Sequence, residues 1–271
     1  MVSFQEAIQQ STEYFEGNTL AANVFVSKYA LKNENGELVE ATPEQMHRRL
    51  AKEFARIESK YKNPLSEEKI FSYLDKFQYV IPQGSPMAGI GNKYQLMSLS
   101  NCFVIPPPHD SMSGITYTMG EEKEIMKRRG GVGFDISPIR PKGMQTSNAA
   151  GTTDGIAVFM DDFSDACRRT AQNGRRGALM LTISVHHPEI QTFIDIKKDK
   201  SRVTGANISI RLSDEFMEAV RDGKDVELRF PVDSPTPKVR KMVDARALWT
   251  EIVTAAHASA EPGLLFWDPI M

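Results

Sequence analysis

The chain has only two cysteines, Cys102 and Cys167, among 271 residues. This count excludes a disulfide scaffold and fits a reducing compartment. No apolar run approaches the length that spans a membrane, and the acidic, polar start is unlike a signal peptide. The net charge is only −2, so no basic field argues for nucleic acid or an anionic membrane. These absences predict a soluble cytoplasmic protein with no membrane partner.

Metal-ligand and hydrolase motifs are also scarce. The five histidines include one adjacent pair, His186 and His187, whose side chains point to opposite sides if they end a strand. Neither Cys-x-x-Cys nor His-Glu-x-x-His spacing occurs, and a serine-hydrolase elbow is missing. We therefore predict no metal site.

The first part of the chain, up to about residue 97, has the pattern of a helical region. Thr42 and Pro43 are typical of a helix N-cap and first position, and Gln45 completes a capping box. Apolar residues then recur at helical spacing, namely Met46, Leu50, Phe54 and Ile57. Another helix is predicted after Ser66. We interpret these stripes as core packing.

The segment 81–91 is rich in glycine and proline. This composition predicts a loop without a regular element. Such a loop either links two domains or lays Ser85 and backbone amides against a ligand, and the residues alone leave both readings open.

From Cys102 onward, short strands alternate with helices. This alternation predicts a largely parallel sheet or barrel with helical cover. The predicted strands are 101–105, 132–136, 178–185, 206–212, 227–232 and 264–267. The predicted helices are 117–129, 156–171, one opened by Pro188, one capped by Ser213, and 244–260.

Cys102 and the glycines of 130–133 are the main candidates for chemistry. A lone cysteine is more often a buried small hydrophobe than a reagent. The glycines are not a dinucleotide fingerprint, because a helix leads into them and a strand leaves them. They either turn the chain tightly or expose amides to an anion. Three basic loops, 139–143, 174–177 and 197–205, are each typical of a solvated turn but together suit phosphates.

Several ordered segments resemble the large catalytic subunit of ribonucleotide reductase. They are 27–31, 40–46, 98–104 (SLSNCFV), 128–137 (RRGGVGFDIS), 139–143, 174–178 and 261–268 (EPGLLFWD). The resemblance runs nearly end to end and is nearest to the adenosylcobalamin-dependent class II enzymes, with the class I large subunit as the alternative.

The resemblance implies an α/β fold in two parts. Residues 1–97 form an N-terminal helical region, and residues 98–271 form the first half of a ten-stranded α/β barrel, which is therefore incomplete. In the family, the radical cysteine and the partner of Cys102 lie beyond the position of Met271. We therefore expect no activity from this chain without the C-terminal half, as a separate chain or a missing segment.

In this family a cysteine thiyl radical abstracts the ribose 3′ hydrogen, and a dithiol supplies electrons as the 2′ hydroxyl leaves as water. Cys102 matches the first member of that dithiol. The positions that match substrate contacts are Ser85, Asn101, Gly130 and Gly131. Small side chains and backbone donors suit a diphosphate.

The family also binds an effector, a deoxynucleoside triphosphate or ATP, that selects which base is reduced. Asp110 and Ser111 match the start of the effector site, and Arg140 matches its phosphate-binding arginine. Lys142 matches the first effector loop, and Lys200 and Arg202 match the second. Cys167 matches no family function, and we interpret it as structural.

The implied cofactor is adenosylcobalamin, bound mainly outside this segment; the alternative is no bound cofactor, with the radical coming from a metal-containing small subunit. The implied partners are a ribonucleotide, the effector, a second large subunit and an external dithiol reductant. The competing hypothesis is a non-catalytic, nucleotide-binding regulatory protein.

Overall fold

A computed structural model describes residues 2–170 and 177–271. The chain forms two compact units. The first contains the residues up to Asn101 together with Arg128–Gly130, and the second contains Cys102–Lys127 and most of the chain after Gly131. The predicted boundary after residue 97 stays a prediction. Within the described ranges, no helix is both long enough and apolar enough to cross a membrane.

The first unit is helical, as predicted. Its core is formed by apolar side chains of the first four helices and of the segment 30–41 between the second and third. The helices are α1 (Phe4–Tyr14), α2 (Thr19–Lys28), α3 (Pro43–Glu58), α4 (Glu67–Leu74) and α5 (Gly84–Gly89), with a 3₁₀ turn at Asp75–Phe77.

Helix α3 begins as the sequence predicts. The Thr42 hydroxyl accepts from the Gln45 amide, and Pro43 occupies the first turn, where its missing N–H has no cost. The Gln45 side chain accepts from the amide of Ala41 and not from that of Thr42, so the capping box is shifted by one residue. Met46 is fully buried, whereas Phe54 is 41% exposed, so only part of the predicted apolar stripe packs in the core.

The prediction that segment 81–91 lacks a regular element is wrong. Residues Gly84–Gly89 form α5, whose N-cap Gln83 makes no side-chain capping bond. Pro86 lies in the first turn, where a missing N–H removes no helical hydrogen bond. The Ser85 amide instead donates to the Asn101 side chain at 2.9 Å. A residue distant in sequence therefore caps this short helix.

The second unit is built on a five-stranded parallel sheet in the order β1-β2-β3-β4-β7. This agrees with the α/β half-barrel that the sequence implies. The strands of the sheet are β1 (Cys102–Val104), β2 (Gly131–Asp135), β3 (Leu179–Ser184), β4 (Ala206–Leu212) and β7 (Gly263–Phe266). The helices are α6 (Met112–Lys127), α7 (Ile156–Arg169), α8 (Ile190–Asp195), α9 (Asp214–Asp222) and α10 (Ala245–Ser259).

Two further elements differ from the sequence predictions. Helix α6 begins at Met112, five residues before the predicted start at 117, because Ser111 caps it by accepting from the Gly114 amide at 3.0 Å. Strand β6 (Val239–Asp244) was not predicted. It pairs antiparallel with β5 (Asp225–Phe230) outside the main sheet, and most of its side chains are exposed, so no buried stripe marks it. The predicted helix residue Ala171 lies outside the described residues.

Candidate functional site

The two faces of the parallel sheet differ in chemistry. One face is apolar and packs on the helices through residues such as Phe134, Leu181 and Ile210. Side chains alternate between the two faces along each strand, so the residues between these apolar ones point to the opposite face. That set comprises Cys102, Val104, Gly131, Gly133, Asp135, Met180, Thr182, Ser184, Asn207, Ser209, Arg211, Gly263 and Leu265. Parallel sheets are usually apolar on both faces, so this small and polar face is the unusual surface of the unit.

Cys102 lies on this polar face at the edge strand β1. Its strand partner is Gly131, so the thiol and the glycine segment lie on adjacent strands of one sheet. Cys102 is exposed, contrary to the default expectation of a buried thiol. Thiol–disulfide chemistry requires such access.

The second thiol lies in a different environment. Cys167 is on α7 and 1% exposed. Burial, with a smaller contribution from the carboxyl group of Glu122, raises the pKa of the Cys167 thiol to about 11. A thiol that stays protonated and covered is a poor nucleophile. This supports a structural role for Cys167.

A partly buried ion pair lies on the polar face, and the sequence did not predict it. Arg211 contacts Asp135 at 2.5 Å across β3, and its guanidinium lies 4.0 Å from the ring centroid of Trp267. Asp135 also accepts from Ser137 at 2.8 Å and from Thr182 at 3.2 Å. Burial raises the pKa of Asp135, and Arg211 opposes that rise. The partners are far apart in sequence, so no local pattern predicts them.

In the first unit, the structure brings together three of the predicted substrate-binding positions. Ser85 is fully buried, and its hydroxyl donates to the carbonyl of Arg129, the residue before Gly130. The Asn101 side chain accepts from the Ser85 amide and donates to Gln83. Gly130 is buried in the same unit. The hydroxyl of Ser85 is thus already engaged, and its contact with substrate stays a prediction.

Three of the predicted effector residues line one cavity of about 360 Å³ in the second unit. Asp110 and Ser111 lie at the amino end of α6, and Arg140 follows β2. Arg140 binds Asp110 twice: its side-chain Nε contacts Oδ2 at 2.8 Å, and its amide donates to Oδ1 at 3.1 Å. The cavity is also lined by polar residues of the loop 143–155, including Thr146, Ser147, Asn148, Thr152 and Thr153.

The other predicted effector residues have side chains that are not part of this cavity wall. The amide of Lys142 donates to Glu189 at 3.1 Å. Lys200 lines a separate groove between the α8 region and α10. Arg202 binds Asp161 on α7. Their effector roles stay predictions, and the basic loop residues 174–176 lie outside the described residues.

The described ranges contain no group of three or more His, Cys, Asp or Glu side chains arranged to hold a metal ion. The two adjacent histidines are held in the interior. His186 contacts Ser213 through Nε2 and the carbonyl of Glu227 through Nδ1. His187 contacts the carbonyl of Ile139. Burial lowers the pKa of both, that of His187 to about 4, so both are neutral near pH 7.

Comparison with known proteins agrees with this architecture. Residues 15–93 match the model of the ribonucleotide reductase all-alpha domain, and residues 100–270 match that of the ribonucleotide reductase barrel domain. The chain is 32% identical over 256 residues to a vitamin B12-dependent ribonucleoside-diphosphate reductase of Mycobacterium tuberculosis, covering 92% of this chain and 36% of the relative. It is 30% identical to a vitamin B12-dependent ribonucleoside-diphosphate reductase of Thermoplasma acidophilum, covering 92% of this chain and 39% of the relative.

A third relative is the ribonucleoside-diphosphate reductase large subunit of Arabidopsis thaliana, 29% identical over 63% of this chain and 24% of the relative. The chain thus spans little more than a third of the length of the first two relatives. Since the barrel-domain match alone covers more than half of the chain, the chain belongs to the ribonucleotide reductase family.

Proposed function

We propose that this chain is the N-terminal portion of a ribonucleotide reductase and that Cys102 is one of the two thiols that reduce the substrate. The observation that carries the proposal is an exposed thiol on the polar face of a sheet that matches the reductase barrel domain. Activity then requires the remainder of a reductase chain, which supplies the radical cysteine and the second thiol.

The proposed chemistry balances with two thiols per turnover. A thiyl radical on the remainder removes the ribose 3′ hydrogen and returns a hydrogen atom at the end. Cys102 and its partner thiol together give two electrons and two protons. The 2′ hydroxyl leaves as water, a hydrogen replaces it on carbon 2′, and the two sulfurs form a disulfide. An external dithiol then reduces that disulfide by exchange.

For the substrate, we propose that Ser85, Asn101, Gly130 and Gly131 contribute phosphate contacts. The bond from the Ser85 amide to Asn101 fixes the start of α5, and the buried Ser85 hydroxyl fixes the chain just before Gly130. Glycine backbone and small side chains let a phosphate approach closely. Fixed donors of this kind bind without a further ordering cost.

For the effector, we propose that the cavity beside Asp110, Ser111 and Arg140 takes a deoxynucleoside triphosphate or ATP. The amino end of the sixteen-residue helix α6 opens on this cavity and favours negative charge. Arg140 supplies a guanidinium suited to phosphate oxygens. A second large subunit belongs to the same proposal, as the family resemblance implies.

Arg140→Ala should weaken effector control of base choice. Loss of one charge-assisted contact is expected to weaken effector binding roughly 10- to 100-fold. The measurement is the ratio of two bases reduced, with and without effector, by the completed enzyme. Arg169→Ala is the matched control, since Arg169 is exposed and pairs with Asp165 on its own helix. An unchanged effector response in Arg140→Ala would remove Arg140 from the site.

For the cofactor, we propose adenosylcobalamin, which supplies the initial radical, because the first relatives are vitamin B12-dependent. The described residues do not fit the corrin themselves. They contain no converging metal ligands, and the buried His186 and His187 have their ring nitrogens engaged. The cofactor site is therefore expected outside this segment, and no step on these residues runs through it.

The test is complementation. We expect this chain, mixed with the remainder of the reductase as a second polypeptide, to form deoxyribonucleotides in the presence of adenosylcobalamin and a dithiol. Binding of deoxynucleoside triphosphates without any activity under these conditions would instead favour the regulatory, non-catalytic alternative.

A further inference from the structure

We propose that Glu189 is a positioning residue that clamps both ends of the loop 143–155 and thereby shapes the effector cavity. The loop forms one wall of that cavity, so this inference rests on the proposed effector function. Glu189 matches none of the residues that the sequence analysis selected.

The clamp consists of one carboxylate oxygen and two amides. Oε2 of Glu189 accepts from the amide of Lys142 at 3.1 Å and from the amide of Ile156 at 3.0 Å. These two residues immediately precede and follow the loop. This side chain therefore joins the two ends of the loop, in addition to the main-chain hydrogen bonds of Thr153 with Gly143 and Met144.

Ile156 begins α7, and the helix has no capping side chain of its own. Its N-cap is Gly155, which makes no side-chain hydrogen bond. The Glu189 carboxylate takes this place from 33 residues away in sequence. A carboxylate is the favoured group at the positive end of a helix, and its bonds to backbone amides are charge-assisted.

The position of the Glu189 carboxylate requires that residue 155 has no side chain. Its φ angle is +84°, and a Cβ atom there would lie 2.6 Å from both carboxylate oxygens of Glu189 and 2.8 Å from the Cβ of Lys142. A side chain at this position would displace the carboxylate. The contact of Glu189 with the loop ends therefore requires glycine at position 155.

Hydrogen bonds of His187 hold the main chain at Glu189, shortly after the end of β3. The Glu189 amide donates to Nδ1 of His187 at 3.1 Å, so Nδ1 carries no proton, and Nε2 donates to the carbonyl of Ile139 at 2.9 Å. His187 and Glu189 follow β3 directly, and Ile139 precedes Arg140. The segment 187–189 thus fixes the chain at three points around Arg140 and the loop.

Such fixing lowers the ordering cost of a ligand that contacts Arg140 and the loop hydroxyls. If Glu189 is replaced by alanine, both loop ends lose their shared acceptor. The loop is then expected to open more often and the cavity to bind its ligand less tightly.

The experiment compares the chain with Glu189→Ala, Glu189→Gln and Gly155→Ala. The exposed Glu218→Ala on α9 is the matched control. Without nucleotide, amide hydrogen exchange in 142–156 is expected to be about tenfold faster in Glu189→Ala and Gly155→Ala, and unchanged in Glu218→Ala. Glu189→Gln keeps one carbonyl oxygen, so its exchange rate in 142–156 should lie between those of the wild type and Glu189→Ala. Exchange in 142–156 that equals the wild type in both clamp variants would overturn the clamp.

The second readout is equilibrium binding of dTTP and dATP. We expect about tenfold weaker binding in Glu189→Ala, with partial rescue in Glu189→Gln, while the exchange protection of β3 and β4 stays at the wild-type level. Equal affinities in wild type and Glu189→Ala would overturn the positioning role while leaving the effector site intact. A wild-type chain that binds neither nucleotide would overturn the effector site, whereas the exchange result would still decide whether Glu189 holds the loop.

Discussion

We expect Cys102→Ser to abolish multiple turnover in the complemented enzyme, with a fall of roughly 10³-fold or more. A serine hydroxyl cannot give up electrons to form a disulfide, so the reducing equivalents for the 2′ carbon are lost. The exposure of Cys102 on the polar sheet face means that the substitution removes chemistry with little loss of packing. The measurement is deoxyribonucleotide formed per enzyme with excess dithiol.

Cys167→Ala is the matched control. Cys167 lies in the core of the second unit, and its raised pKa keeps the thiol protonated. Turnover is expected to persist, with some loss of stability from the smaller side chain. Undiminished turnover in Cys102→Ser, or its loss only in Cys167→Ala, would refute the assigned role of Cys102.

The second large effect is a pH-dependent loss of stability caused by Glu122. This residue on α6 is fully buried, and neither carboxyl oxygen has a hydrogen-bond partner among the described residues. Burial raises the pKa of the Glu122 carboxyl group from 4.5 to about 8, with Lys123 opposing weakly. The folded chain therefore holds this proton more tightly than the unfolded chain does.

Proton linkage determines how the stability of the fold changes with pH. Below about pH 4.5, Glu122 is protonated in both the folded and the unfolded state and does not change the stability. Between pH 4.5 and 8 only the unfolded state loses the proton, so the stability falls as the pH rises. The free energy of unfolding should drop by about 1.4 kcal/mol per pH unit, to a total of up to ~5 kcal/mol. Above about pH 8 the decline ends.

Glu122→Gln should remove this slope. Between pH 5 and pH 8, denaturant unfolding is expected to show a fall in stability for the wild type and for the exposed control Glu218→Gln, and a much smaller fall for Glu122→Gln. The wild type should be the less stable protein at pH 8. A wild-type slope identical to that of Glu122→Gln would show that the carboxyl group is ionised in the folded chain.

Elements with strong local signals could be predicted from the sequence. Strand β4 was predicted with its observed bounds, and its sequence, ANISIRL, alternates apolar and polar side chains as a strand does. Helix α9 was predicted from its cap, and the Ser213 hydroxyl indeed accepts from the Phe216 amide at 3.1 Å. Both depend on residues within a few positions of each other.

Elements decided by distant contacts could not be predicted. Helix α5 is capped by Asn101, 16 residues after Ser85, so its glycines and prolines gave the wrong prediction. Strand β6 lies at an exposed edge, where charged side chains are tolerated and often favoured. The determining partner of α5 is therefore outside the local window, whereas β6 pairs with the preceding strand but has no buried stripe to mark it.

The candidate site likewise contains some residues that the sequence predicted and others that only the structure shows. Cys102, Asp110 and Arg140 were selected through resemblance to a family, and the structure places the last two against one cavity. The Asp135–Arg211 pair joins residues 76 positions apart, and the clamp at Glu189 joins residues 33 and 47 positions away. Ion pairs and shared acceptors of this kind become visible only when the strands are in register.

If Cys102 delivers electrons to the substrate, its sulfur must be oxidised after one turnover, and the state of that sulfur can be measured. The complemented enzyme is reduced, freed of external dithiol, given substrate and effector, quenched in acid and mapped by mass spectrometry. We predict Cys102 in a disulfide with a cysteine of the complementing polypeptide, in amounts equal to the deoxyribonucleotide formed, with Cys167 still a thiol. Deoxyribonucleotide formed while Cys102 stays reduced would contradict the account.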